Sequence, residues 1–189
     1  MTAGNELTIR RHLNFVTFVG LYHALLSGLP DQQRPALCPN YTTNNVTPSL
    51  FTWTKHTTTA LSILFLASLL RLSAYTNLGP SFTFYITKPT GLKTTGVHRY
   101  IRHPSYTGIF GIALSTVLLF FRANGLMGCW VPAAAAQVVD QVMLAWAVVV
   151  MPGMFWVRVK GEEEFLGRMF GKEWEGYCAR TQRFIPGVF

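Results

Sequence analysis

The sequence has little charge, and least of all negative charge. Charged side chains make up 13% of its 189 residues, and only 8 acidic residues accompany 16 lysines and arginines. Half of the residues are hydrophobic, and they gather in long runs, which argues against an ordinary soluble domain. The net charge of +8 is typical of loops that lie beside anionic lipid.

Cysteine is scarce too, and the motifs of common nucleotide-binding and metal-binding folds are missing. Cys38, Cys129 and Cys178 lie in separate segments, with no spacing typical of a metal site and no evident disulfide framework. No G-x-G-x-x-G follows a strand pattern, and there is no P-loop. We therefore predict no metal, no Rossmann fold and no nucleic-acid partner.

Long apolar runs are what the sequence has instead. The four runs are Leu13–Pro30, Thr57–Tyr75, Pro104–Phe121 and Leu126–Val157. Each is close to or above the roughly 20 residues that a helix needs to cross a bilayer core of about 30 Å. The first run is the weakest, and the two arginines before it leave a signal peptide as the alternative to a span.

The fourth run is too long for one upright helix. Pro132, Asp140 and Pro152 interrupt it. One long tilted helix with a kink at a proline fits this pattern, and so does a short re-entrant piece followed by a span. We expect Asp140 to face the protein interior or an interface, because a carboxylate that faces lipid is costly.

Basic residues cluster in three segments that the apolar runs separate. These segments are the N-terminus, residues 76–103 and the tail after Val157. The positive-inside rule places all three in the cytosol, and four crossings satisfy it. The 31–56 loop then faces the lumen, and its N-x-T patterns at Asn40 and Asn45 suit that side.

These patterns predict an all-α protein. We expect a polytopic integral membrane helical bundle of about four to five transmembrane helices with a C-terminal cytosolic helical cap. Residues 1–75 would form an N-terminal transmembrane pair. Residues 76–189 would form the functional region, made of a cytosolic linker, a transmembrane hairpin and the cap, and both regions together would make one domain.

The stretch H-R-Y-I-R-H-P-S-Y-T-G at residues 98–108 places polar side chains at the N-terminus of a predicted apolar helix. Pro104 suits the first position of a helix. Ser105 and Tyr106 would then offer unpaired backbone N–H groups to an anion, with Arg102 and His103 beside them. An interface anchor of Arg, His and Tyr side chains is the alternative interpretation.

A second polar stretch runs from Arg158 to Gly171. If the helix continues past Gly161, Arg158 and Glu162 are four residues apart and share a face. The alternative is a solvated amphipathic helix whose ion pairs contribute about 0.3–0.5 kcal/mol each. The aromatic residues that follow predict a tail that folds back onto the membrane surface and closes over a site built from residues 90–106.

The two stretches form a long composite motif. G-V-H-R-Y-I-R-H-P-S-Y-T-G is followed by an apolar hairpin, then by R-x-x-x-E-E-x-x-L-x-x-x-F-G-x-x-W-x-x-Y and a terminal I-P. Over roughly residues 79–187, the chain resembles the isoprenylcysteine carboxyl methyltransferase family. The resemblance implies an integral membrane enzyme that moves a methyl group from S-adenosylmethionine to the C-terminal carboxylate of a prenylated cysteine.

The resemblance also implies a set of site residues. The substrate-binding arginine of the family corresponds to Arg158, and position 98 holds histidine where the family usually has tyrosine. The cofactor-binding positions, with Arg102 beside them, are Thr90, Gly91, Leu92, Lys93, His98, Arg102, His103, Pro104, Ser105, Tyr106 and Glu162.

A carboxylate acceptor suits these residue types. A C-terminal carboxylate ordinarily has a pKa of about 3.5, so it is ionised at neutral pH and needs no general base. It must be held in line with the methyl group, and a bidentate arginine does this well. We assign that role to Arg158, with Glu162 as the second catalytic residue, which takes the cofactor's ammonium group or holds Arg158.

Two alternatives to this activity remain. The first is a membrane phospholipid or other small-lipid methyltransferase, because a wider superfamily shares both motifs. An amine acceptor must lose a proton, however, and this requires a nearby acidic side chain rather than an arginine. A non-catalytic membrane scaffold is the second.

The resemblance also implies where the protein acts and on what. The expected partners are prenylated, CaaX-processed proteins or prenylcysteine lipids, together with membrane lipid. The expected location is the endoplasmic reticulum membrane, with the active site and both termini in the cytosol.

Overall fold

The part of the chain that the computed structural model describes is mainly helical, and it comprises residues 14, 18, 21–40, 53–78, 91–122 and 126–187. Residues 21–28 are helical, and no strand occurs in these ranges. The α-helices are α1 (Arg34–Leu37), α2 (Lys55–Leu78), α3 (Pro104–Phe120), α4 (Ala133–Ala145), α5 (Met151–Phe170) and α6 (Lys172–Cys178). The predicted all-α class is confirmed.

Two helices are long and apolar enough to cross a membrane. They are Lys55–Leu78, with 24 residues, and the continuous helix Ala134–Phe170, with 37 residues, whereas Pro104–Phe120 is apolar but shorter. Only 22% and 17% of their apolar windows are buried inside the protein, which is less than the core helix of a soluble fold buries. Large apolar side chains such as Phe65, Leu66 and Val149 are instead exposed, as lipid-facing residues are.

The fourth apolar run forms a short 3₁₀ turn, Leu126–Cys129, and then one long helix. Between α4 and α5 lies a π-helical turn, Trp146–Val150, and Pro152 stands in the first turn of α5. Because proline lacks an N–H and its ring crowds the preceding turn, a wider turn just before it keeps the helix continuous. The run therefore holds one continuous helix after the 3₁₀ turn, and its path across a membrane stays a prediction.

Residues 1–58 and 117–143 form the first of two compact units. Within this unit Cys38 and Cys129 are joined by a disulfide, and they pack with Leu26 and Leu126 in a buried apolar cluster. The expectation of no disulfide framework was therefore wrong. The two cysteines are 91 residues apart, so nothing in their local sequence announces the pairing.

An ion pair also lies in the first unit. The guanidinium of Arg122 contacts both oxygens of Asp140 at 2.8 to 3.2 Å. Asp140 is half-buried and neutralised by this partner, as expected for a carboxylate in an apolar run.

Residues 59–116 and 144–189 form the second unit. Here α2 and α3 approach closely at Gly108, where a Cβ would lie 2.9 Å from the carbonyl oxygen of Ala67 and 2.8 Å from the Cβ of Arg71. The backbones of α2 and α3 can come this close because Gly108 has no side chain. Part of the first predicted span, Leu13–Pro30, lies outside the described residues, and four to five crossings and the division at residue 75 remain predictions.

Candidate functional site

The stretch at residues 98–108 forms a 3₁₀ turn, Gly96–Arg99, followed by the start of α3. Gly96 has φ of 59°, and a Cβ there would lie 1.8 Å from the Asn77 side chain, so only glycine fits. Pro104 is fully buried at the first position of α3, as predicted. The Tyr106 N–H donates to the His103 carbonyl at 3.1 Å, which corrects the expectation of an unpaired donor there.

The carboxylate of Glu163 on α5 is the centre of an ionic cluster. It accepts hydrogen bonds from Nε of Arg183 at 3.0 and 3.1 Å and contacts a terminal nitrogen of the same guanidinium at 2.9 Å. Nε2 of His103 lies 3.3 Å away and Nε of Arg102 3.5 Å away. The hydrogen bond to Glu163 raises the pKa of Arg183. The cluster joins three parts of the chain through one carboxylate.

A second group of contacts gathers around the Tyr106 hydroxyl. Arg158 and Glu162 both lie close enough to this hydroxyl to act on it electrostatically, and the Tyr106 ring packs against Phe155 at 5.6 Å between centroids. Because α5 continues past Gly161, Arg158 and Glu162 share one helical face, as predicted. The two polar stretches of the sequence therefore meet in space.

The C-terminal segment packs along residues 98–107. The N–H of Arg102 donates to the carbonyl of Gln182 at 2.8 Å, and the N–H of His103 donates to the carbonyl of Arg183 at 3.0 Å. Ile101 and Gln182 form an isolated parallel β-bridge. The predicted contact between the tail and the H-R-Y-I-R-H-P-S-Y stretch is therefore present.

The tail also fixes the turn before α3. Tyr177 on α6 is buried, and its hydroxyl donates to the carbonyl of His98 at 2.7 Å. Burial raises the pKa of Tyr177 to about 12, so this hydroxyl keeps its proton. It remains a hydrogen-bond donor throughout the physiological range.

Among the buried polar atoms of this unit that lack a hydrogen-bond partner in the part of the chain that the structure describes, two belong to the stretch at residues 98–108. They are Nδ1 of His98 and Nε of Arg102, whose 3.5 Å separation from Glu163 is long for a hydrogen bond. Burial, with the nearby His103, lowers the pKa of His98 to about 4. Its ring is therefore neutral at pH 7 and can both accept and donate.

An unpaired buried polar group costs free energy unless a ligand completes it. S-adenosylmethionine carries hydroxyls, an amine, an ammonium and a carboxylate. The donor on Arg102, the neutral ring of His98 and the carboxylate of Glu162 complement these groups. The residues therefore fit this cofactor.

The remaining predicted cofactor-binding positions make fewer contacts with the groups around Glu163 and Tyr106. Gly91 and Lys93 are exposed and Leu92 is half-buried, and no described contact joins them to either cluster. Thr90 lies outside the described residues. The carbonyl of Ser105 accepts a hydrogen bond from Arg71 on α2 at 3.3 Å.

Sequence reasoning missed Glu163, Arg183 and Arg71 as parts of this site. The run of three glutamates gave a signal for the first, because Glu163 lies four residues after the buried Val159 and eight after Phe155 on one helical face. Arg183 and Arg71 carry no local signal of their roles.

The fold and the site together define a class: a helical protein with membrane-capable helices and a polar cluster where two sequence motifs meet. Comparison with known proteins refines this class. Residues 58–167 match the isoprenylcysteine carboxyl methyltransferase (ICMT) family. The chain belongs to this family, as the sequence analysis predicted.

Three relatives are each named a protein-S-isoprenylcysteine O-methyltransferase. The protein of Schizosaccharomyces pombe is 30% identical over 175 residues, which cover 89% of this chain and 64% of the relative. The Dictyostelium discoideum protein is 27% identical over 145 residues, which cover 75% of this chain and 53% of the relative. The methyltransferase B of Arabidopsis thaliana is 30% identical over 132 residues, which cover 68% of this chain and 58% of the relative. The chain thus spans between about half and two thirds of these relatives' lengths.

Proposed function

We propose that this protein transfers a methyl group from S-adenosylmethionine to the C-terminal carboxylate of a prenylated cysteine. The observation that carries the proposal is the convergence of Tyr106, Arg158 and Glu162. Membership of the ICMT family and the names of three relatives support it. The substrates would be prenylated proteins or prenylcysteine lipids that reach the site from the membrane.

Arg158 would hold the carboxylate acceptor. Its planar guanidinium suits bidentate binding of a carboxylate, and its position beside Tyr106 would place that acceptor next to the cofactor-binding stretch. Since the acceptor is already ionised, no side chain has to remove a proton. Orientation would therefore supply most of the rate enhancement.

Glu162, His98 and the Arg102–Tyr106 stretch would hold the methyl donor. Glu162 would bind the donor's ammonium, and Arg102 would bind its carboxylate through the nitrogen that has no hydrogen-bond partner among the described residues. When bound, S-adenosylmethionine supplies an electrophilic methyl group. Residues 90–93 would border the same site, as the family resemblance implies.

The protein would lie in the endoplasmic reticulum membrane with four to five spans and its site in the cytosol. Basic residues in the N-terminus, residues 76–103 and the tail support this orientation. The disulfide adds independent support, because Cys38 and Cys129 must share one side of the membrane and disulfides persist in oxidising compartments. That side is the one predicted to be lumenal.

A two-substrate assay tests the proposal. Purified protein receives S-adenosylmethionine with a labelled methyl group, together with N-acetyl-S-farnesylcysteine or with phosphatidylethanolamine. Base-labile label on the prenylcysteine marks a methyl ester and is the expected result. Base-stable label on the phospholipid would instead identify a lipid amine methyltransferase, and label on neither would favour a scaffold.

A further inference from the structure

The C-terminal segment, residues 181–184, makes more contacts with the candidate site than a loosely attached tail would. Its backbone accepts hydrogen bonds from the N–H groups of Arg102 and His103. The carbonyl of Phe184 also accepts a hydrogen bond from the Thr107 hydroxyl at 3.0 Å. These contacts align the segment with the cofactor-binding stretch, residue by residue.

Arg183 is the member of this segment that also reaches α5. Its guanidinium binds both oxygens of Glu163 and lies over the ring of Trp156 at 5.1 Å. Its own backbone carbonyl holds the N–H of His103. One residue therefore connects α5 to the start of α3.

The bidentate contact is the strongest in the cluster. Glu163 lies 3.3 Å from His103 and 3.5 Å from Arg102, longer than the 2.9 to 3.1 Å to Arg183. Charge-assisted bidentate pairs are also the most directional. Without Arg183, Glu163 would keep only the longer contacts, and the position of α5 against His103 would be less well defined.

This position matters because the proposed ligand-holding residues are neighbours of the cluster. Glu162 precedes Glu163 on α5, and Tyr106 lies one turn after His103 on α3. A shift between Glu163 and His103 is therefore also a shift between Glu162 and Tyr106. A displacement of about 1 Å at such a site can cost on the order of 100-fold in rate.

We propose that Arg183 is a positioning residue of the methyl-donor site, which acts through Glu163 on Arg102 and His103. This role rests on the proposed function. It makes residues 181–184 part of the site, although they lie more than 70 residues after its first motif. Arg183 itself touches neither the donor nor the acceptor.

Binding of S-adenosylhomocysteine to the purified full chain, measured by calorimetry, tests this role. Arg183→Gln should raise the dissociation constant about 10-fold, and KM for N-acetyl-S-farnesylcysteine should stay within about 2-fold. Arg183→Lys keeps the charge but not the planar fork, so it should give an intermediate dissociation constant. The lysine variant also serves if the glutamine variant does not fold.

The matched control is Arg168→Gln. Arg168 pairs with Glu164 on the same helix, but this pair is exposed and outside the cluster, so the dissociation constant should not change. A dissociation constant for Arg183→Gln equal to that of the control would overturn the role. So would equal losses for donor and acceptor, which would mean a general structural defect.

The same measurement separates this role from the proposed function. If the unaltered protein does not bind S-adenosylhomocysteine, the proposed function is wrong, and the positioning role falls with it. If the unaltered protein binds S-adenosylhomocysteine, and Arg183→Gln binds it as well as Arg168→Gln does, only the positioning role is wrong.

Discussion

The two compact units differ in the kind of side chain that each one buries. The unit of residues 1–58 and 117–143 is held by a disulfide inside an apolar cluster. The unit of residues 59–116 and 144–189 buries His98, His103, Ser115 and Thr181 and centres on Glu163. Apolar packing and a covalent bond stabilise without a ligand, whereas buried polar atoms without partners weaken a fold. This difference suits the first unit to stability, and it agrees with the binding site that we propose in the second unit.

Substitution of Arg158 should have the largest effect on activity and separate binding from stability within the second unit. Arg158→Ala should lower turnover at least 100-fold, because the acceptor carboxylate loses its orienting partner. Thermal stability and binding of S-adenosylhomocysteine should change little, because Arg158 is exposed.

Methyl transfer from labelled donor, with calorimetry on the same preparation, measures both quantities. Arg168→Ala, on the same helix but outside the site, should retain full turnover. Wild-type turnover in Arg158→Ala would remove this residue from the proposed mechanism.

Loss of the disulfide should have the largest effect on stability. Replacement of Cys38 and Cys129 by serine should lower the free energy of unfolding by about 2–5 kcal/mol. Binding of S-adenosylhomocysteine at about 20 °C should be retained, because every residue assigned to the methyl donor belongs to the other unit.

Thermal unfolding in detergent with and without reductant measures the stability change. Cys178→Ser, which removes the free thiol, is the control and should leave the unfolding temperature within about 1 °C. An unchanged unfolding temperature in the double serine variant would contradict the assigned stabilising role of the disulfide.

Acid should weaken the second unit through His98. Its folded-state pKa of about 4 lies below the ordinary value of about 6.5, so between these values the unfolded chain binds a proton that the folded chain does not. The neutral ring of His98 therefore contributes fully to the free energy of unfolding above pH 6.5. As the pH falls towards 4, the free energy of unfolding decreases by about 3 kcal/mol through this residue.

Unfolding temperatures measured from pH 7.5 to pH 4 check this dependence. His98→Phe, which fills the site without a titrating group, should lose less stability over the same range. Parallel curves for the two proteins would show that His98 does not carry the effect.

A glycine pair gives the smallest and most local test. Gly108→Ala should lower stability by about 1–3 kcal/mol, because the new methyl group meets backbone of α2. Gly153→Ala, where a Cβ meets nothing within 4 Å, should be neutral or stabilising by up to about 1 kcal/mol. Equal unfolding temperatures for the two variants would contradict the close packing of α2 and α3.

Local features of this protein were predictable because they depend on neighbours in the chain. The start of α3 at Pro104 follows from the fixed φ of proline and its missing N–H. The shared face of Arg158 and Glu162 follows from the 3.6-residue period, once the helix passes Gly161. The meeting of two motifs was predictable from the family resemblance.

The sequence alone therefore determined the helical class, the helix start at Pro104 and the pairing of the two motifs. Only the tertiary structure decided that Cys38 pairs with Cys129, that Glu163 rather than its neighbour centres the ionic cluster, and that Arg183 binds it. Adjacent residues on a helix point about 100° apart, so the choice between two glutamates depends on which direction the rest of the chain occupies. Contacts across 20 to 91 residues depend on how helices pack, and residue order does not encode that locally.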